Sequence, residues 1–394
     1  MATAGEPRPT RFGAALREGE RVTPLELFFD LVFVLALTQC TALMSHNTSW
    51  EGLAQGLLVL GMLWWAWVGY AWLTSVLDPE EGAVRLVMFG AMAALLLVSL
   101  CVPEAFDDLA LVFALAYGAV RVAQIGLFML ASPEDDNLRH SVLGLAVSTA
   151  VAVLLLASAS LFDGVAQGAL WALALFLDMA GPYFFGSKGW KLVPGHFAER
   201  HGLIVIIALG ESIVAIGIGA AGALTFGIAA AAVLGVALTA AMWWIYFDIV
   251  AIVAGRRLDE AEVGQVQNEM ARDSYSYLHL PMVAGIVLVA LGLKKTIGHF
   301  DEHLDTVAAF ALLGGVAAYL LGHVAFRFRH VHTINRQRLL LAIVLLILVP
   351  VATAMPALAA LAVANALIWA MIAYETRGYG EGRQRLRRPQ PAET

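Results

Sequence analysis

The sequence predicts an all-α, polytopic membrane helical bundle of about twelve transmembrane helices, arranged as two parallel six-helix repeats. Three observations lead to this fold class. The 394-residue chain is 60% hydrophobic and 14% charged, whereas soluble domains are about 45–50% apolar and about 25% charged. Its apolar runs are long and do not alternate with polar residues, which favours helices over a membrane β-barrel. Features of the first half also recur in the second.

Twelve apolar segments have the roughly 17–25 residues that cross a hydrocarbon core about 30 Å thick. The predicted spans cover residues 24–45, 53–76, 86–102, 108–131, 140–161, 165–186, 200–220, 230–254, 274–293, 305–326, 338–354 and 357–375. They divide the chain into a cytoplasmic N-terminal segment (1–23), a first six-helix repeat (24–186), a cytoplasmic linker (187–199), a second six-helix repeat (200–375) and a basic cytoplasmic tail (376–394).

The distribution of basic residues predicts the orientation of these spans. If both termini are cytoplasmic, 21 of the 24 Lys and Arg residues lie on the cytoplasmic side. Lys294 and Lys295 then lie outside, and Arg121 lies within a span. Loops rich in Lys and Arg stay on the cytoplasmic side during insertion. One miscounted span would invert every later loop, so the asymmetry supports both the number of spans and cytoplasmic termini.

Two short matches indicate an internal duplication. Val32–Gln39 aligns with Ile204–Glu211 at an offset of 172 residues, and Trp64–Trp67 aligns with Trp243–Tyr246 at an offset of 179. Apolar helices also resemble one another by chance, but a doubled tryptophan pair is rarer than an apolar run. Because six spans per repeat is an even number, both halves would insert in the same direction and share a site between them.

Carboxylates inside apolar helices are the main functional candidates, because inserting such a group costs roughly 2.5–3.5 kcal/mol. In the first span, Glu26 and Asp30 share one helix face, and Gln39 lies half a rotation beyond Asp30. In the seventh span, Glu211 lies deep and is followed by Ser212. A protonatable Glu at this depth is typical of a proton relay, although a neutral Glu bonded to a neighbouring helix would be structural. We place Asp30, Gln39, Glu211 and Ser212 on a predicted ion or substrate pathway.

Three further polar residues join this predicted pathway. Arg121 lies near the middle of the fourth span and requires a carboxylate partner, for which Asp30, Asp178 and Glu211 are the candidates. That ion pair would either gate the pathway or only hold the bundle together. Asp178 precedes a proline by four residues, so the proline frees the Asp178 carbonyl beside its carboxylate. Asp248, in the eighth span, completes the set.

Four tryptophans lie in the middle of predicted spans, namely Trp64, Trp65, Trp243 and Trp244. Tryptophan usually prefers the membrane interface, so these four are expected to pack inside the bundle. There they would either fill the core or form an aromatic gate.

The sequence contains no set of residues typical of an enzyme or of a cofactor site. We find no nucleophile motif, dinucleotide motif or metal-ligand set, and therefore expect no catalysis, no cofactor and no metal. The net charge is −7, and no basic tract with interleaved aromatic residues precedes the tail, so nucleic acid is not an expected partner. The expected partners are membrane lipid and an unknown small solute or ion.

The motifs around these carboxylates resemble those of a known family. Glu26–Val34 reads E-L-F-F-D-L-V-F-V, and Leu209–Ser212 reads L-G-E-S. On these motifs the chain resembles the bacterial low temperature requirement protein A (LtrA) family over nearly its whole length. The resemblance implies a multi-pass protein of the bacterial inner (plasma) membrane that is associated with growth in the cold. It matches Asp30 and Glu211 to motif positions and implies no reaction, and His201 departs from the aromatic residue of the family pattern.

The sequence supports three functions. The first is a transporter of a small solute or ion, coupled to protons through Glu211 or Asp30 with Arg121 as countercharge. The second is an ion channel, because Phe28–Asp30 is similar to the Phe-Ser-Asp motif of potassium channels built from two six-helix repeats. The second half has Arg200–Gly202 there instead. The third is a non-transporting membrane factor in cold adaptation, in which every buried polar group would be paired.

Overall fold

The computed structural model describes residues 21–80, 82–131, 136–184, 189–221 and 224–378. These residues form fifteen α-helices and contain no β-strand. In chain order the helices are α1 (Pro24–His46), α2 (Trp50–Thr74), α3 (Gly82–Cys101), α4 (Ala110–Ala131), α5 (Asp136–Ala159), α6 (Gly164–Phe184), α7 (Pro194–Gly219), α8 (Phe226–Ile245), α9 (Ala251–Asp259), α10 (Gln265–Met270), α11 (His279–Gly298), α12 (Thr306–Ala309), α13 (Gly315–Val331), α14 (Arg336–Ala352) and α15 (Ala357–Gly378). Most of the predicted N-terminal segment 1–23 and of the predicted tail 376–394 lies outside the described residues.

Within the described ranges, eleven helical segments are long and apolar enough to cross a membrane. Three of them join two consecutive α-helices through a π-helical segment: α8 and α9 through Tyr246–Val250, α10 and α11 through Ala271–Tyr277, and α12 and α13 through Phe310–Gly314. The eleventh predicted span, 338–354, is not among these segments and corresponds to α14, whose 17 residues extend about 25 Å. This length is shorter than a hydrocarbon core of about 30 Å. The chain is a multi-pass helical membrane protein.

A proline lies at the start of both α1 and α7, the two helices that form the candidate site described below. Pro24 and Pro194 occupy the first turns of α1 and α7, where the missing backbone N–H is not needed. Thr23 and Glu26 also cap α1 reciprocally, each side chain bonding the backbone of the other. The predicted span starts at residue 200, six residues after the first residue of α7. The prediction starts late because Gly195, His196 and Glu199 lower the hydropathy of the first two turns.

The two halves pack their helices in the same order. In the first half, α1 packs on α2 and α3, α3 on α4, α4 on α5 and α5 on α6, while α6 returns to α2. In the second half, α7 packs on α8 and α11, α11 on α13, α13 on α14 and α14 on α15, while α15 returns to α8. The halves meet where α1 contacts α7 and α11, and where α2 contacts α7 and α11.

The tryptophan pairs of α2 and α8 have different surroundings. α2 is buried along nearly its whole length, and Trp64 and Trp65 lie in the core. α8 buries one face against α7, α11 and α15. Trp243 is 46% exposed on the outer face and Trp244 is half-buried. The expectation of core packing is therefore wrong for Trp243, because consecutive residues point about 100° apart and only a central helix buries both.

Candidate functional site

The candidate site lies between α1 and α7, which run side by side in the same direction. Contacts along the two helices pair Glu26 with His196, Asp30 with Arg200, and Thr38 with Glu211. Asp30 and Arg200 each follow the first residue of their helix by six positions, so both lie about 9 Å from the helix start. Opposite charges at the same depth therefore face each other across the boundary between the halves.

The Arg200 cluster consists of Glu26, Asp30, Trp67, His196 and Arg200, all of which are fully buried. Arg200 Nη2 donates to Asp30 Oδ1 at 2.9 Å, and Arg200 Nη1 lies 3.4 Å from Glu26 Oε1. The indole Nε1 of Trp67 also donates to Asp30 Oδ1, at 2.9 Å. His196 Nε2 lies 2.8 Å from Glu26 Oε1. One guanidinium of the second half thus contacts two carboxylates of the first half.

The other carboxylate oxygen of Asp30, Oδ2, differs from Oδ1. Oδ2 is buried and has no hydrogen-bond partner among the described residues, although Oδ1 has two. A buried polar atom left unpaired costs about 1–3 kcal/mol and calls for an explanation. A proton on Oδ2 would remove the negative charge while leaving Oδ1 able to accept hydrogen bonds. Asp30 is therefore suited to bind and release a proton.

A group of rings from the second half packs beside the Arg200 cluster, with His201 at its centre. The ring of His201 lies 4.9 Å from that of Trp67, 5.1 Å from that of Tyr275 and 5.2 Å from that of His279. His201 Nδ1 donates to the Phe197 carbonyl at 2.8 Å, which leaves Nε2 of the neutral ring as an acceptor. These rings keep the surroundings of low polarity, in which the hydrogen bonds of the cluster are stronger than in water.

Glu211 occupies the other end of the same interface. It is buried, and Thr38 Oγ1 on α1 donates to Glu211 Oε2 at 2.5 Å. Lys294 on α11 interacts with it electrostatically. About 16 Å of α7 separate Glu211 from the Arg200 cluster. The Ser212 hydroxyl is buried without a partner in the described part of the chain, and Gln39 is half-buried. The α1–α7 interface therefore carries a buried carboxylate near each end.

The Arg121 cluster lies within the first half and consists of Tyr117, Arg121, Gln124, Thr149 and Asp178. Arg121 Nη2 donates to Asp178 Oδ1 at 3.1 Å, and Nη1 donates to Gln124 Oε1 at 2.6 Å. Thr149 Oγ1 donates to Asp178 Oδ1 at 2.8 Å, and Tyr117 Oη donates to Oδ2 at 2.9 Å. Of the three candidate carboxylates the structure selects Asp178. Arg121 is therefore engaged here and does not serve as the countercharge of the α1–α7 interface.

Asp248 belongs to neither of the two arginine clusters. It is buried in the π-helical segment Tyr246–Val250 that joins α8 to α9. Such segments frequently occur at functional positions. In the same segment, Tyr246 Oη lies 2.9 Å from His279 Nε2.

Three members of the Arg200 cluster, namely Trp67, His196 and Arg200, were not predicted as site residues. A signal for two of them is present in the sequence. Counting from the prolines that start α1 and α7, an offset of 170 residues places each acid of α1 opposite a basic residue of α7. The offset of 172 given by the apolar match hides this charge complementarity.

Comparisons with known proteins match the chain to a family model and to a curated relative. A family model described as bacterial low temperature requirement A protein (LtrA) matches residues 21–373. An uncharacterized protein of Rhizobium meliloti (strain 1021) is 32% identical over 311 residues, with 75% of each chain covered. No solved structure matches the chain. The matched range of the family model includes both arginine clusters.

Proposed function

The chain belongs to the bacterial low temperature requirement A family, and from this premise we propose that it is a proton-coupled transporter of a small solute or ion. The observation that carries the proposal is the buried Oδ2 of Asp30, which has no hydrogen-bond partner among the described residues. It lies at the contact between the two halves. Ionisable residues in this setting commonly serve as proton relays in transporters.

Proton binding at Asp30 would change the contact between α1 and α7. Ionised Asp30 holds Arg200 at 2.9 Å, while Glu26 lies 3.4 Å from the same guanidinium. A neutral Asp30 attracts Arg200 less, so the guanidinium would move toward Glu26. A ligand shifts a conformational equilibrium only if it binds the two conformations with different free energies. For the proton, that difference would arise because Arg200 contacts Asp30 in one conformation and Glu26 in the other. The two halves would thereby respond to protonation by a relative movement.

The common packing order supports a transporter of two parallel six-helix repeats, 24–186 and 200–375, with a site between them. The parallel course of α1 and α7 agrees with an even number of spans in the first repeat. We place the chain in the inner membrane with both termini in the cytoplasm, because that orientation leaves 21 of the 24 basic residues inside. Asp30 then lies toward the cytoplasm, and Glu211 lies toward the outside as a second proton-binding group.

The test uses the purified full-length chain in liposomes that contain a pH-sensitive dye. Small carboxylates, amines and alkali cations are added outside, one at a time, and the internal pH is followed. We expect one class of solute to change the internal pH, and Asp30→Asn to reduce that rate at least about tenfold, because an amide cannot bind and release the coupled proton. Asp178→Asn is the control, because it neutralises an equally buried carboxylate in the Arg121 cluster. It should lower stability by leaving Arg121 without its carboxylate, but the protein that remains folded should retain coupled flux.

Size-exclusion chromatography of each variant separates lost folding from lost coupling. Coupled flux that is unchanged in a well-folded Asp30→Asn variant would contradict the role of Asp30.

Glu211→Gln tests the outer end of the interface in the same assay, and we expect a reduced rate there too.

A non-transporting membrane factor in cold adaptation is the second candidate function. It is favoured by the closed ion pairs Arg121–Asp178 and Arg338–Glu375, whose charged atoms lie 3.1 and 3.0 Å apart. If no solute or ion produces flux through the parent protein, this candidate replaces the transporter. An ion channel would instead give currents in planar bilayers, but the guanidinium of Arg200 beside Asp30 would repel a permeating cation.

A further inference from the structure

A cavity of about 500 Å³, named here the second-half cavity, lies between the α8–α9 helix, α13, α14 and α15. Sites for small molecules have volumes of about 300–1,000 Å³ and combine apolar walls with a few polar groups. Its apolar walls include Ile249, Val253 and Phe326. Its charged and imidazole groups are His323, Arg327, His330, Arg338 and Glu375. Volume and lining therefore fit a small organic molecule.

Of the polar groups that line the cavity, His323 lies deepest along α13. It precedes the end of that helix by eight residues, or about 12 Å, and is 1% exposed. Neither ring nitrogen of His323 has a hydrogen-bond partner in the described ranges of the chain. A neutral imidazole carries one donor and one acceptor, and leaving both unpaired in the interior is costly. A ligand in the adjoining cavity would supply the missing partner.

The charge around the second-half cavity favours an anion. Arg338 interacts electrostatically with His323. Glu375 is already engaged, because Arg338 Nε and Nη2 donate to it at 3.1 and 3.0 Å and Asn335 Nδ2 donates to it at 2.8 Å. Arg327 adds a second guanidinium to the lining. Two guanidinium groups and one carboxylate leave the lining with one formal positive charge when its histidines are neutral.

The corresponding position of the first half is filled by an arginine. Ala116–Ala123 and Ala318–Ala325 share the pattern A-Y-x-x-x-[R/H]-V-A, which places Arg121 on α4 where His323 lies on α13. The two helices also hold the same place in the packing order of their halves. Arg121 pairs with Asp178, and the cavity that Arg121 lines measures only about 50 Å³. The second half has a shorter side chain at this position and retains about ten times the space.

We propose that the second-half cavity binds a small monocarboxylate with an apolar body. The carboxylate accepts a hydrogen bond from the imidazole N–H of His323 and is attracted by Arg338. The apolar body lies against Ile249, Val253 and Phe326. The inference deepens the proposed function by naming the transported solute, and to that extent it rests on the proposed function, whereas the binding step stands by itself.

Benzoate is the probe, and benzylamine, of similar size and opposite charge, is the control ligand. Both are titrated calorimetrically into the purified full-length chain in detergent. We expect one benzoate per chain and at least about tenfold weaker binding of benzylamine, a difference of about 1.4 kcal/mol. His323→Phe should weaken benzoate binding at least about tenfold, because it removes the donor and keeps the ring. His299→Phe changes a histidine that is 60% exposed in the loop after α11, and should leave binding unchanged.

Val253→Trp tests the cavity from another wall without altering a polar group, and covers the case in which His323→Phe fails to fold. We expect it to abolish benzoate binding by filling the space. Equal benzoate affinity in the parent and both variants overturns the inference, as does equal affinity for benzylamine. Benzoate binding without any flux in liposomes keeps this inference and removes the proposed transport. Coupled flux of another solute, without benzoate binding, does the reverse.

Discussion

The two buried arginine clusters differ in how completely their carboxylates are bonded. In the Arg121 cluster both oxygens of Asp178 accept hydrogen bonds, and every donor belongs to the first half. In the Arg200 cluster, Oδ1 of Asp30 accepts from Trp67 of the first half and from Arg200 of the second. Oδ2 of Asp30 accepts from none of the described residues.

This difference separates a structural ion pair from one that can exchange partners. A buried network with its carboxylate fully bonded stabilises one arrangement, because every alternative leaves a polar atom unpaired. The Arg200 cluster has two carboxylates within reach of one guanidinium, so a second arrangement exists for Arg200. The first cluster lies inside one half and the second lies between the halves. The pair that can change its partner therefore lies at the contact where a relative movement would occur.

The largest expected effect comes from breaking the Arg121 cluster. Arg121→Leu leaves the carboxylate of Asp178 buried without a cation and should lower the free energy of unfolding by about 3–5 kcal/mol. The double variant Arg121→Leu/Asp178→Leu removes both charges and should recover most of that loss. Unfolding by sodium dodecyl sulfate in mixed micelles measures both. A single variant as stable as the parent would contradict the structural role of the pair.

A smaller effect that depends on pH is expected from Arg200→Gln. Near pH 8 the loss of the guanidinium should cost about 2 kcal/mol, less than in Arg121→Leu, because the Gln amide keeps an N–H donor that Leu lacks. The folded variant can neutralise Asp30 by binding a proton that the unfolded chain does not hold in this range. Stability should therefore fall as the pH rises, by up to about 1.4 kcal/mol per pH unit, and recover toward pH 5. Unfolding of parent and variant in parallel at both pH values checks this, and a loss independent of pH would show that Asp30 takes up no proton.

Sequence patterns predicted the helical bundle because backbone polar groups must be bonded internally in lipid, and the need of Arg121 for an acid because a lone charge is costly there. The choice of Asp178 among the three acids could be made only from the structure. Arg121 lies on α4 and Asp178 on α6, and these two helices come together only when the first half is packed. The same limit explains Trp243. Its tryptophan pair matches that of α2, but only the arrangement of helices shows that α2 is central and α8 is peripheral.

The pairing of Asp30 with Arg200 does not follow from the repeat, because a repeat is recognised by similarity, whereas this site depends on complementarity. An offset of 172 aligns apolar residues and draws attention to Glu211, which has Gln39 as its counterpart. An offset of 170 aligns the prolines that begin α1 and α7, and places Asp30 against Arg200. At a contact between corresponding helices, opposite charges at equivalent positions attract, so unlike residues mark the site.

The smallest expected effect tests the bond from Trp67 to Asp30 against a matched tryptophan. Trp67 Nε1 donates to Asp30 at 2.9 Å, whereas Trp65 Nε1, on the same helix and also buried, has no hydrogen-bond partner among the described residues. Trp67→Phe and Trp65→Phe lose similar apolar area, so the difference between their unfolding free energies compares a hydrogen-bonded indole N–H with an unpaired one. We expect Trp67→Phe to be less stable by about 1.5 kcal/mol, as for a bond to a charged acceptor. Equal losses in the two variants would mean that Asp30 is not held in its ionised form by this indole, and Arg200 alone would then have to keep the carboxylate charged.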